Sequence, residues 1–111
     1  MFLKLSKSIQ TLNEVAIGDR DADLILENCS LFNVYSREIL PETEIAISQD
    51  RIAYVGKDAS HTKGKKTVTI NLEKKYVTPG FADPHIHLDQ FVSPTEFVKK
   101  SLLCGVTSLF S

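Results

Sequence analysis

Thr78-Pro79-Gly80-Phe81-Ala82-Asp83-Pro84-His85-Ile86-His87-Leu88-Asp89 holds the residues of this 111-residue chain best suited to chemistry. Two histidines two positions apart in an extended segment point to the same side. Their ring nitrogens can then converge on one metal ion. Asp83 and Asp89 fall on that same alternating face if the strand stays regular that far. Imidazole suits zinc, manganese, iron or nickel, and carboxylate favours the harder members of that set. The chemistry implied is bond cleavage by metal-activated water. An H-x-H pair alone is a weak motif, since surface histidines often fall at that spacing. Here it has context, because Pro79-Gly80 turns the chain just before it.

Such a pair needs elements to hold it. Residues 81–87 read as the strand that bears it. Pro84 offers no ladder hydrogen bond, so it marks a local irregularity that aims the histidines. A helix should start at Ser93, with Ser93 as cap, Pro94 at the first helical position and Glu96 completing a capping box. Phe97, Leu102 and Leu103 supply its apolar packing, and Gly105 ends it. The apolar run Val106-Thr107-Ser108-Leu109-Phe110 reads as a second strand. Strand, helix, strand in this order is the unit of a parallel sheet, and barrels of such units carry their chemistry at the carboxyl ends of the strands.

Upstream, Leu5, Ile9, Leu12 and Ala16 recur at helical spacing, and Gly18 can close that helix in the left-handed conformation. The helix reads as a packing or subunit-contact element. From Ala22 to Val77 the pattern changes to short strands: Leu24-Ile25-Leu26, Leu31-Phe32-Asn33-Val34, Glu44-Ile45-Ala46-Ile47, Ile52-Ala53-Tyr54-Val55 and Thr67-Val68-Thr69-Ile70. Turn-like residues separate them, among them Asn28-Cys29-Ser30. An antiparallel sheet or half-sandwich is expected. The divisions are residues 1–20, 21–78 and 79–111. His61, in a polar loop, reads as a surface histidine.

Thirteen basic and fourteen acidic residues leave a net charge of -1, which excludes a general basic field for nucleic acid. Lys63-Gly64-Lys65-Lys66 reads as a solvated loop. No apolar run reaches membrane-spanning length, and Lys4, Lys7, Gln10, Asn13 and Glu14 interrupt any signal core. The cytoplasm is therefore expected, with no membrane and no nucleic-acid partner. Cys29 and Cys104 lie far apart and read as two buried thiols.

Pro79-Gly80-Phe81-x-Asp83-x-His85-x-His87 resembles the first barrel strand of the amidohydrolase superfamily, metal-dependent hydrolases built on a (β/α)8 barrel with a small β-sandwich. Ala22-Asp23-Leu24-Ile25-Leu26-Glu27-Asn28, Ile45-Ala46-Ile47 and Arg51-Ile52-Ala53-Tyr54-Val55-Gly56 are similar to its sandwich strands. The helical leader ending near Val15-Ala16-Ile17-Gly18, the spacing of Asn33-Val34 and Glu38-Ile39, and Ser93-Pro94-Thr95-Glu96-Phe97 before Gly105-Val106-Thr107 are similar to the adenine deaminase family. One departure is Asp89-Gln90-Phe91, where that family's pattern carries Glu-Ser-Ser; the acid is kept in kind.

The resemblance implies a mixed α/β and β fold: an N-terminal helix, a β-sandwich segment, then the first β-α-β of a (β/α)8 barrel. A barrel needs about 200 residues or more, so it is incomplete here, and the chain reads as an N-terminal portion, inactive alone. It further implies His85 and His87 as metal ligands, Asp89 as a catalytic carboxylate, and one or two divalent ions of manganese, iron or zinc. The implied substrate is a purine base, with adenine and water giving hypoxanthine and ammonia. A homo-oligomer is the expected assembly. Two alternatives stay open: another cyclic amidohydrolase, similar to dihydroorotase or hydantoinase, and a non-catalytic relative.

Overall fold

The computed structural model describes residues 5–87 and 93–110. They form two units, which divide between Val77 and Thr78. The whole is mixed α/β, a helix followed by strands.

In the first unit, helix α1 spans Leu5–Ile17 and Gly18 ends it at φ +86°. Gly18 N–H donates to the Val15 carbonyl at 3.1 Å and Asp19 N–H to the Glu14 carbonyl at 2.8 Å. This double closure is the Schellman arrangement expected of a glycine in that conformation. A Cβ on Gly18 would also stand 2.9 Å from the His61 carbonyl oxygen, so the position excludes side chains twice over. The helix face turned inward differs from the one expected. Ser8 and Val15 are buried, whereas Ile9 is 48% exposed. The apolar spacing was right for a helix but placed the stripe about one residue off.

Strands β1 (Leu24–Asn33), β2 (Glu38–Ser48), β3 (Arg51–Gly56), β4 (Val68–Asn71) and β5 (Tyr76–Val77) form one sheet, ordered β3-β2-β1-β4 with β5 also on β1. β2 pairs antiparallel with β1 and with β3, but β4 and β5 pair with β1 in parallel. The sheet is therefore mixed, not purely antiparallel as expected. Asn28-Cys29-Ser30 does not separate two strands either. It is an irregularity inside a ten-residue β1, with Asn28 at φ 55° and the register to β2 shifting on both sides of Cys29. Asparagine tolerates this left-handed geometry, which lets one strand bend without breaking.

The core lies between α1 and this sheet: Val15, Ala22, Ile25, Ala46 and Ala59, with Ala53 and Tyr54 partly buried against it. Three of the five buried residues are alanines, so the helix can approach the sheet closely. Only Val15 and Ile25 are larger, and burying each contributes about 1.5–3 kcal/mol. The 3-10 turn Ser60–Thr62 closes one end, where Ala22 N–H donates to the Thr62 carbonyl at 2.8 Å and Thr67 Oγ1 donates to the Ala22 carbonyl at 2.6 Å. On the other face, the paired residues Leu26, Ile45, Val55 and Ile70 are all apolar, and Val55 and Ile70 are each 44% exposed.

The second unit holds β6 (Phe81–Asp83), helix α2 (Pro94–Leu103) and β7 (Val106–Leu109), with β6 and β7 parallel. As expected, Ser93 caps α2, its side chain accepting from Glu96 N–H at 3.4 Å, and Pro94 opens the first turn. The Glu96 carboxylate instead meets Lys99 Nζ at 2.9 Å, so among the described contacts only half of the capping box forms. Gly105 follows the helix at φ +82° and leads into β7.

Candidate metal centre

The chain turns into β6 at Pro79-Gly80. A Cβ on Gly80 would strike the Thr107 side chain, so glycine there permits the close approach of the two strands. Phe81 N–H donates to the Gly105 carbonyl at 2.8 Å and begins the ladder. The ladder outlasts the regular strand: Phe110 N–H donates to the Asp83 carbonyl and Ile86 N–H to the Phe110 carbonyl, each at 3.1 Å.

β6 stops at Asp83, not at His87 as expected. The cause is the Asp-Pro step. Proline gives no ladder donor, and the Asp83 carboxylate folds forward so that His85 N–H donates to its Oδ1 at 3.2 Å. His85 and His87 thus stand just past the carboxyl end of the strand, both exposed, with half-buried Ile86 between them. Their ring centroids are 4.9 Å apart and the ring planes meet edge to face at 85°. Two imidazoles so placed are a donor pair fit for part of a divalent site. Among the described residues, no group of three or more His, Cys, Asp or Glu side chains is gathered to hold a metal. Asp89 lies outside the described residues.

The expectation of flanking carboxylates missed what Asp83 does: its Oδ1 is engaged by the His85 amide. The signal was present in the sequence as Asp-Pro, a turn-initiating pair.

His61 is exposed, as expected, but not idle. Its Nε2 lies 3.0 Å from the Ala16 carbonyl oxygen, and its ring meets Tyr54 edge to face at 4.7 Å. It therefore ties the end of α1 to the sheet. Cys29 is buried and its thiol donates to the Thr43 carbonyl at 3.1 Å, whereas Cys104 is exposed, against the expectation of two buried thiols. Lys63, Lys65 and Lys66 are exposed, with Lys63 Nζ 3.4 Å from a Glu27 carboxylate oxygen. No helix among the described residues is long and apolar enough to cross a membrane.

No family model matches the chain. Curated relatives do. An adenine deaminase of Cenarchaeum symbiosum is 61% identical over 107 residues, which is 96% of this chain and 18% of that protein. Adenine deaminase 3 of Rhizobium meliloti is 42% identical over 100 residues, 89% of this chain and 17% of that protein. A solved structure of a Bacillus thuringiensis protein covers 65% of this chain and 97% of its own, at 31% identity and a TM-score of 0.47. By sequence the chain belongs to the adenine deaminase family, as a stretch that spans 18% of the Cenarchaeum protein's length and is consistent with the N-terminal portion of such a protein.

Proposed function

We propose that this chain carries the first metal-binding strand of an aminohydrolase that converts adenine and water to hypoxanthine and ammonia. The observation behind this reading is the facing pair His85 and His87 just beyond β6, in a chain 61% identical to an adenine deaminase. β6, α2 and β7 are read as the first strand-helix-strand unit of a (β/α)8 barrel, which 111 residues are too few to complete.

The donor set fits manganese, iron or zinc. A catalytic zinc usually has three protein ligands, so further ligands would come from residues outside this stretch, and the stretch alone would be inactive. A divalent ion, when bound, supplies Lewis acidity that makes water nucleophilic at neutral pH. The chain's own part is positional. His85 and His87 present two imidazoles with ring centroids 4.9 Å apart. Asp89 is proposed as a carboxylate that moves a proton near the substrate. A homo-oligomer in the cytoplasm completes the reading.

The test uses the protein at its natural length. His85→Ala with His87→Ala should remove bound metal, measured by elemental analysis, together with ammonia release from adenine. Unchanged metal content would sink the ligand assignment. Asp89→Asn should lower turnover while metal content stays; normal turnover would remove that role.

A further inference from the structure

Asp83 stands where β6 ends and the histidine pair begins, and it is bonded from two sides. Its carbonyl accepts the Phe110 N–H at 3.1 Å, which fixes it to the end of β7. Its side-chain Oδ1 accepts the His85 N–H at 3.2 Å, and that is the His85 amide's partner among the described residues. Pro84, between them, has its φ locked by the ring. A residue before proline is held extended, so Asp83 leaves the strand in one direction only. One residue later, Ile86 N–H returns to the Phe110 carbonyl at 3.1 Å. The His85 backbone is thus held ahead by β7 and behind by a carboxylate.

This hold has a consequence for the rings. Both histidines are exposed, and exposed side chains exchange rotamers within nanoseconds, so what the backbone can fix is the direction of each Cα–Cβ bond. Ring centroids 4.9 Å apart at 85° require both Cα–Cβ bonds to keep their directions. A binding constellation tolerates only about 0.5 Å of looseness.

We propose that Asp83 is a positioning residue: it accepts the His85 amide and so aims the His85 ring at the point His87 shares, without itself ligating. This rests on the metal reading of the pair. Two observations separate it from the alternative that Asp83 is a third ligand. One carboxylate oxygen is already engaged with the chain's own amide. And Asp83 does not join the two histidines in a ligand cluster among the described residues.

The test compares Asp83→Ala with Asp83→Asn in the protein at its natural length. Asparagine keeps an Oδ1 that accepts the amide but loses the charge. Two quantities are read: affinity for zinc alone by chelator competition, and exchange of the His85 amide by NMR without metal. Partners that orient metal ligands are worth about 10–100-fold in affinity. Asp83→Ala should therefore weaken zinc binding by about tenfold or more and speed exchange at His85, while Asp83→Asn stays near wild type in both. If Asp83→Asn loses zinc as fully as Asp83→Ala, Asp83 acts as a charged ligand and the proposal is overturned. Unchanged His85 exchange in Asp83→Ala overturns it as well. Absence of zinc binding in wild type and both variants would sink the metal reading instead, and the exchange comparison would still decide whether Asp83 holds His85.

Discussion

Ile25 and Leu103 are both aliphatic residues of regular elements, yet Ile25 is 1% exposed and Leu103 89%. The pair stands for the two units. Up to Val77 the chain builds an interior of its own, with Val15, Ala46 and Ala59 each at 0%. Among the described residues from Thr78 onward, the only buried residue is Ser101. Phe81, Leu102 and Phe110 are all more than half exposed. Local order there comes from a helix cap, a glycine turn and one parallel ladder. A two-stranded sheet is marginal by itself, and parallel sheets are ordinarily covered on both faces. The candidate chemistry therefore sits in the unit least able to hold itself together. In the proposed barrel, neighbouring strands and helices would supply that cover.

The largest effect that could break this contrast is in the first core. Ile25→Ala should cost about 2–5 kcal/mol, because Ile25 is one of only two large side chains in the buried cluster. Leu103→Ala should change stability by less than about 0.5 kcal/mol, since exposed substitutions rarely exceed that. Urea unfolding of the 111-residue chain, followed by far-ultraviolet circular dichroism, reads both. Comparable losses would mean that the two units fold as one and that the difference in burial carries no energetic meaning.

Local chemistry made part of this fold legible. Gly18, Ser93, Pro94 and Gly105 each act within one turn of their own position, so α1 and α2 were readable from residue types alone. The strands were readable as strands, but their partners were not. That β4 and β5 join β1 in parallel depends on contacts some forty residues apart, about which the local pattern is silent. The bend at Asn28 looked like a gap because asparagine serves turns and bulges equally. At the candidate centre, the spacing of His85 and His87 placed both on one side of the chain. The end of β6 at Asp83 was misplaced, because the histidine spacing is silent on where the regular strand stops, which Pro84 and the bond from His85 N–H to Asp83 Oδ1 decide.

The smallest expected effect concerns the two thiols, one in each unit. Thiolate is the reactive form, and only an accessible thiol meets a reagent. Burial pushes the Cys29 thiol above its ordinary value of 9.0, outweighing a backbone hydrogen bond that lowers it, so Cys29 is protonated at neutral pH and donates to Thr43. Cys104, exposed at the end of α2, has no such shelter. Iodoacetamide at neutral pH should label Cys104 promptly and Cys29 only after denaturant is added, as mass spectrometry of the peptides would reveal. The raised value also has a stability consequence with a definite sign. The protonated thiol favours the folded state fully below the unfolded thiol's value, and that contribution is lost as pH rises from there through the folded value. The stability of wild type relative to Cys29→Ala should therefore fall above about pH 9. Equal labelling of both cysteines would erase the difference between the units at their thiols. Slow labelling of Cys104 in the natural-length protein, beside fast labelling in the 111-residue chain, would instead locate the cover that the second unit lacks alone.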